Sequence, residues 1–449
     1  MQGMTGILRT PNFWIDGNWK AAGHRVAASC VPDGAPEASW HGWVIPGLVN
    51  AHSHAFQRAM AGLAEHRVVR AGDARDSFWS WRETMYTLAA RLDPETLHVV
   101  AAQAYVEMLE AGYTQVCEFH YLHHAPDGKP YAPPSAMSAA LIGAAREAGI
   151  GLTLLPTLYM SGGFDRRPLA ARQQRFAHTL DRFLDLLAEL RTLQGPGLNV
   201  GIALHSLRAV PPEALHALLQ SGLAAQGPLH IHIAEQTAEV DDCLAATGQR
   251  PVAWLLDHAP LDARWCLVHA THMDSAETTR LARSGAVVAL CPSTEANLGD
   301  GLFPLGHYLD AGGRIAIGSD SNVSISPVEE LRWLEYGQRL ARRARNLAAS
   351  AQQPHAGARL VALALAGGRQ AAGLDDTPID AALLHLDGAH VLLAERRPEE
   401  VLDSWIFAGN AALVRDVCVA GQHLVRAGRH VHGEAIARRY RQALARLRA

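Results

Sequence analysis

The sequence is short of charge of either sign and of long apolar runs. Over 449 residues the formal net charge is −4, and only 19% of residues are charged. A balance this close to neutral leaves no electrostatic footprint for nucleic acid or for an anionic membrane surface. No uninterrupted apolar stretch reaches the length that spans a bilayer. The start, Met1-Gln2-Gly3-Met4-Thr5, lacks a basic segment followed by an apolar one, so the expectation is a cytoplasmic protein. Cysteine is sparse: six residues, at 30, 117, 243, 266, 291 and 418, with no CxxC pair among them. They make neither a zinc–thiolate site nor a disulfide framework. Cys117, Cys266, Cys291 and Cys418 sit inside apolar runs, as core residues do. What the chain does have is a 49% apolar content, enough for a large core, and 24 histidines.

From residue 43 onward, short apolar runs alternate with amphipathic helical patterns. The runs cover 43–49, 114–119, 151–158, 199–204, 229–234, 265–268, 286–291 and 314–318. Several intervening helices are closed by a glycine, and Asp93-Pro94-Glu95 has the make-up of a helix start. Eight strands, each followed by a helix, close a (β/α)8 barrel, and continuous apolar strands suit a parallel sheet covered on both faces. The expected fold is therefore α/β: a TIM-like (β/α)8 barrel over 46–374. The ends read differently. Residues 13–19 carry a hairpin signal, and short strands are expected at 382–386, 390–393, 405–407, 414–419 and 423–425, with a turn at 420–422. Neither end suffices alone, so 1–45 and 375–449 are expected to pair into a small β-sandwich domain beside the barrel, closed by a helix over 433–447. Residues 126–134 form a proline-rich loop, and the basic run 339–345 is expected to be a solvated helix face.

In such a barrel the chemistry sits at the carboxyl ends of the strands. Strand 1 ends in Pro46-Gly47-Leu48-Val49-Asn50-Ala51-His52-Ser53-His54, an HxH pair whose two imidazoles can reach one ion. Strand 5 ends in His230-Ile231-His232-Ile233-Ala234-Glu235, strand 6 in His269, and strand 8 in Gly318-Ser319-Asp320. His52, His54, His232 and Asp320 make a three-imidazole, one-carboxylate set for a mononuclear divalent ion. Such an ion lowers the pKa of a bound water from 15.7 toward about 7. His230 shares the strand face of His232 but lies short of the strand end. Glu235 lies within reach of the open metal position as a proton shuttle, and His269 is placed to hold the attacking water opposite Asp320. Each residue alone could be a hydrogen-bonded buried histidine or a helix-start carboxylate. His123, His124, His178 and His258 fit no ligand pattern and are expected in loops or at the surface.

The HxH after strand 1, the His-x-x-Glu at strand 5, the His at strand 6 and the Ser-Asp at strand 8 resemble the amidohydrolase superfamily, in its single-metal deaminase branch. The resemblance covers essentially the whole chain. More narrowly, residues 49–58, Trp79-Ser80-Trp81-Arg82, Glu118-Phe119-His120-Tyr121, 205–210 and 331–337 are similar to the formimidoylglutamate deiminase family. That resemblance implies hydrolysis of N-formimidoyl-L-glutamate to N-formyl-L-glutamate and ammonia in histidine degradation. It also implies one divalent metal per subunit, zinc with iron(II) as the other option, and a homodimer. It places Gln57, Tyr121 and His205 around the substrate beside Arg82 and Arg208.

Chemistry supports the two arginines without the resemblance, since a dicarboxylate can be met by forked, bidentate hydrogen bonds. Arg82 could instead stack on an aromatic neighbour, and Gln57 could lie on a helix face. Two other readings stay open. A deaminase of a ring amine such as guanine, cytosine or an adenosine derivative would use the same metal and glutamate in a different pocket. A metal-free relative kept as an assembly protein would usually lack the ligands that this sequence retains.

Overall fold

The computed structural model describes residues 5–15, 17–27, 37–66, 78–374, 376–378 and 381–448. Cys30, Asp16 of the hairpin signal and the side chain of Trp79 lie outside what is described.

The N-terminal part contributes β1 (Thr5–Ile15), β2 (Asn18–Ala27), β3 (Glu37–Ser39) and β4 (Gly42–Pro46). The barrel strands follow: β5 (Leu48–Ser53), β6 (Tyr113–His120), β7 (Gly151–Leu158), β8 (Leu198–Val200), β9 (Ile202–Leu204), β10 (Leu229–Ile233), β11 (Trp265–His269), β12 (Val287–Leu290) and β13 (Arg314–Ile317). They are parallel neighbours in the order β5-β6-β7-β9-β10-β11-β12-β13, with β8 beside β7. β8 and β9 are two pieces of the expected fourth strand, so the eightfold count holds. β14 (Ala382–Asp387), β15 (Val414–Val419), β16 (Gln422–Arg426) and β17 (Arg429–His430) return the C-terminal end to β4. Together with β1, β2 and β3 they are hydrogen-bonded as one continuous eight-stranded sheet.

The run at 43–49 is not one strand, as its composition suggests. β4 pairs with β1 and β14 in the end sheet, and only after Gly47 does the chain enter the barrel as β5. The crossing is tight: a Cβ on Gly47 would lie 2.1 Å from Thr114 Oγ1. Two further expected strands fail. Residues 405–407 belong to a helix, Val401–Phe407, and 390–393 form turns. The expected hairpins at both ends form, β1 with β2 and β15 with β16.

Local rules explain the helices that wrap the barrel. Pro94–Ala111 starts on Asp93, whose side chain accepts from Thr96 N, carries proline in its first turn, and stops at Gly112 with φ 109°. Most of its inward residues are fully buried. The strands from β9 to β12 are buried along their whole length. His123, His124 and His178 lie in loops, as the sequence suggests, but they are buried there rather than at the surface, their rings packed on one another with centroids 4.4 to 6.2 Å apart. Burial, which disfavours the charged ring, lowers each pKa. His258 is exposed and stacks on Trp254. In the basic run, Arg342, Arg343 and Arg345 are solvated, but Arg339 pairs with buried Glu335 at 2.7 Å and lies over Tyr336 and Phe407. No helix among the described residues is long and apolar enough to cross a membrane.

Candidate metal centre and active-site cavity

The barrel closes where its first and last strands meet, and the closing contacts are the site's own residues. Between β5 and the end of β13, His54 N donates to Asp320 O at 2.9 Å and Asp320 N donates to His52 O at 2.9 Å. Gly318 packs so closely that a Cβ there would lie 2.8 Å from the backbone N and O of His52. A buried polar knot ties the same seam. Asn50 Nδ2 donates to Ser319 Oγ at 2.6 Å, Asn50 Oδ1 accepts from Ser319 N at 3.0 Å, and Asn322 bridges Ser319 to Ser53. In a water-free interior such bonds are costly to lose, so the two strands are held in one register.

That register brings together the four ligand-type residues read from the sequence. His52 Nε2 and His54 Nε2 each lie 3.3 Å from Asp320 Oδ1, and His52 Nε2 lies 3.0 Å from His232 Nε2. His54 Nδ1 donates to Phe119 O and His232 Nδ1 to His205 O, both at 2.9 Å. With those protons on Nδ1, the Nε2 lone pairs of His54 and His232 face inward, the outer contacts that orient a metal-binding imidazole. Four ligands about 2.0–2.1 Å from a tetrahedral ion would stand roughly 3.3 Å apart, and these three contacts match that spacing. The groups close enough to share an ion are His52, His54 and His232, and His52, His269 and Asp320. The N3O set suits zinc and its first-row neighbours. His230 instead turns its Nε2 to Ala371 O at 2.8 Å and takes no part.

The electrostatics agree with a cation site. Burial drives the pKa of His52 down to about 3 and lowers those of His54 and His232, so all three rings are neutral ligands at pH 7. Burial raises the Asp320 carboxyl, but the His52 hydrogen bond and the surrounding imidazoles hold it well below the usual carboxylate range. Glu235, next in line, is pushed up by burial. His269 is pulled down by burial, yet Glu235, a hydrogen bond to Glu295 and Asp320 push it up overall. Its Nε2 stands 3.9 Å from Glu235 Oε1 and 4.0 Å from Asp320 Oδ2, at the mouth of the ligand set. Ala234, His269 and Asp320 all have positive φ (51°, 70° and 43°), so three strand ends turn sharply just as they deliver these groups.

The matching family model is that of the amidohydrolase family, over residues 43–377. The chain belongs to the amidohydrolase family. A formimidoylglutamate deiminase from Pseudomonas aeruginosa is 52% identical over 98% of this chain and 97% of its own length. An 8-oxoguanine deaminase from the same organism is 30% identical, over 71% of this chain and 68% of its own. Among solved structures, an amidohydrolase from Brucella melitensis superposes with a TM-score of 0.91 at 43% identity, covering 99% of this chain and 100% of that one.

The amidohydrolase cavity lies over the candidate metal centre and opens to solvent. Every substrate-side residue read from the sequence lines it: Gln57, Arg82, Tyr121, His205 and Arg208, with Glu235 and His269 at its base. Gln57 Nε2 donates to Tyr121 Oη at 2.8 Å, leaving Gln57 Oε1 buried without a protein partner. The Arg82 guanidinium lies 5.2 Å from the centre of the Tyr86 ring, so the aromatic-stacking alternative is realised in part. Sequence reasoning missed Tyr159, Phe176, Tyr86 and Glu239, which also line the cavity. Tyr159 directly follows β7, so the strand-end rule could have found it. Glu239 accepts from Ala234 N and Glu235 N at 3.1 and 3.2 Å, fastening the turn that carries Glu235.

Proposed function

We propose that this amidohydrolase hydrolyses N-formimidoyl-L-glutamate to N-formyl-L-glutamate and ammonia, with one divalent ion at His52, His54, His232 and Asp320. The observation that carries the substrate is the pairing of two guanidiniums, Arg82 and Arg208, in one cavity above a single-ion ligand set. Formimidoylglutamate has two carboxylates to meet them and one amidine carbon to place below. The 52% identity to a formimidoylglutamate deiminase over nearly the whole chain supports the same substrate. Zinc is the ion proposed, with iron(II) the alternative that accepts the same ligands.

Bound there, the ion supplies Lewis-acid activation of a water molecule at neutral pH. The chain's own groups do the rest. Arg82 and Arg208 hold the carboxylates, and Gln57, Tyr121 and His205 fix the formimidoyl end. Asp320 and His269 orient the attacking water toward the amidine carbon. Glu235 takes the proton released as the C–O bond forms and delivers it to the terminal nitrogen. The hydroxyl proton follows by the same carboxyl to that nitrogen as the C=O bond forms, the C–N bond breaks and ammonia leaves. A carboxyl whose affinity for protons is raised by burial suits such a shuttle.

The lesser reading is deamination of a ring amine. Trp81, Tyr86, Tyr159 and Phe176 give the cavity aromatic walls on which a ring could stack, and relatives of 25–30% identity are named for such substrates. Paired cations above the metal favour the dianion. We further propose a cytoplasmic homodimer acting in histidine degradation. The five described cysteines are all free and buried, which suits a reducing compartment. Trp333, Tyr336 and Leu340, exposed along the helix Pro327–Arg342, offer an apolar face for the second subunit. The reaction is tested by stripping the protein with chelator, reloading it with zinc or iron(II), and following formimidoylglutamate by NMR. Formylglutamate should appear only after reloading. No product after full reloading would exclude the reading.

A further inference from the structure

Glu295 takes no step in the proposed reaction, yet its carboxylate bonds to His269 Nδ1, the ring nitrogen turned away from Glu235 and Asp320. It sits in the short helix Pro292–Leu298 that follows β12, and it is 5% exposed. One oxygen, Oε1, accepts two hydrogen bonds: from Cys291 N at 3.0 Å and from His269 Nδ1 at 3.2 Å. The first is an ordinary use of an acidic residue in a helix's first turn. Helix formation has no need of the second, which reaches across to the residue ending β11. Because the carboxylate can only accept, the His269 proton on that side is on Nδ1, and Nε2 is the atom presented to Glu235 and Asp320. The backbone of His269 is already held at φ 70°, so the side-chain bond to Glu295 is what sets the ring about its remaining torsions.

We propose that Glu295 is a positioning residue for the reaction: it locks the His269 ring so that Nε2 faces the attacking water. The inference rests on the function proposed above. Without the carboxylate the imidazole can rotate by half a turn or exchange tautomers, and the water loses one of its two orienting partners. Outer contacts of this kind are worth about 10- to 100-fold when removed.

The test uses the full-length, metal-loaded protein and the variants Glu295→Ala and Glu295→Gln, with formimidoylglutamate as substrate. Glu295→Ala should keep its metal content and a KM within about 3-fold, while kcat falls about 10- to 100-fold. Glu295→Gln, which keeps an acceptor oxygen, should recover much of the loss. A folded, metal-loaded Glu295→Ala with kcat within about 3-fold of the parent overturns the proposal, as does a loss confined to KM. Nitrogen-15 NMR of the histidine rings decides the matter if Glu295→Ala does not fold or if the parent does not turn over this substrate. His269, assigned by its absence in His269→Gln, should carry a proton on Nδ1 whether the ring is neutral or cationic, and a ring protonated only on Nε2 overturns the proposal.

Discussion

His52 and His232 face each other through their Nε2 atoms at 3.0 Å, although they lie 180 residues apart. His232 has its proton on Nδ1, committed to His205 O, so its Nε2 brings a lone pair to that contact. Burial keeps His52 neutral as well. A cation between them would be held by both Nε2 atoms, with the His52 proton, like that of His232, on Nδ1.

Removing that cation should therefore cost stability as well as activity. Chelation is expected to abolish turnover and lower the melting temperature by several degrees. An ion present at about 100 times its dissociation constant stabilises the fold by about 2.7 kcal/mol. His232→Ala should show the same loss with metal present. Calorimetry with and without chelator, alongside metal analysis, checks both.

Glu235→Gln separates proton transfer from binding. Its side chain stays the same size at the cavity base, so metal content and substrate affinity should hold while kcat falls about 100-fold or more. Unchanged turnover in a metal-loaded variant would remove Glu235 from the mechanism. Activity together with a dissociation constant measured on the variant gives the answer.

Arg208→Met and Arg82→Met should act on substrate capture. A charge-assisted hydrogen bond contributes about 1.5–3 kcal/mol, which corresponds to roughly 10- to 150-fold in kcat/KM. The effect should be largest for the dicarboxylate and small for an amidine lacking both carboxylates. Steady-state kinetics on both compounds reads the difference directly.

The end sheet holds a pH-dependent element. Asp416 on β15 accepts from His385 Nδ1 at 2.8 Å and His423 Nε2 at 3.1 Å, joining three strands. Burial would raise its carboxyl, but those hydrogen bonds hold it well below the usual range. A carboxyl depressed in the folded state stabilises fully above its unfolded value of about 3.9, and the contribution fades as pH drops below that. Asp416→Asn should thus be less stable at pH 7 by about 1–3 kcal/mol, with the gap to the parent shrinking toward pH 3. Urea titrations at the two pH values test it.

Much of this site was legible in the sequence because parallel strands announce themselves as apolar runs and their ends carry the polar residues. His52, His54, His232, Glu235, His269 and Asp320 all lie at or just past such ends. The failures have physical causes. Composition alone cannot say which sheet a strand joins, so Trp43-Val44-Ile45 read as barrel although it belongs to the end sheet. Trp405-Ile406-Phe407 is apolar enough for a strand, yet it is the last turn of a helix. His123, His124 and His178 have no spacing that foretells burial; loop packing puts them inside. Glu295 was invisible because its partner, His269, is brought to it only by the pairing of β11 with β12.

The most direct measurement is ammonia release by the zinc-loaded protein from N-formimidoyl-L-glutamate set against 8-oxoguanine, guanine, cytosine, adenosine and 5-methylthioadenosine. Formimidoylglutamate should be turned over with kcat/KM of about 10⁴ M⁻¹s⁻¹ or more, in the usual enzymatic range, and the ring amines at least about 10³-fold more slowly. Equal or faster release from any ring amine, or none from formimidoylglutamate, would contradict the account.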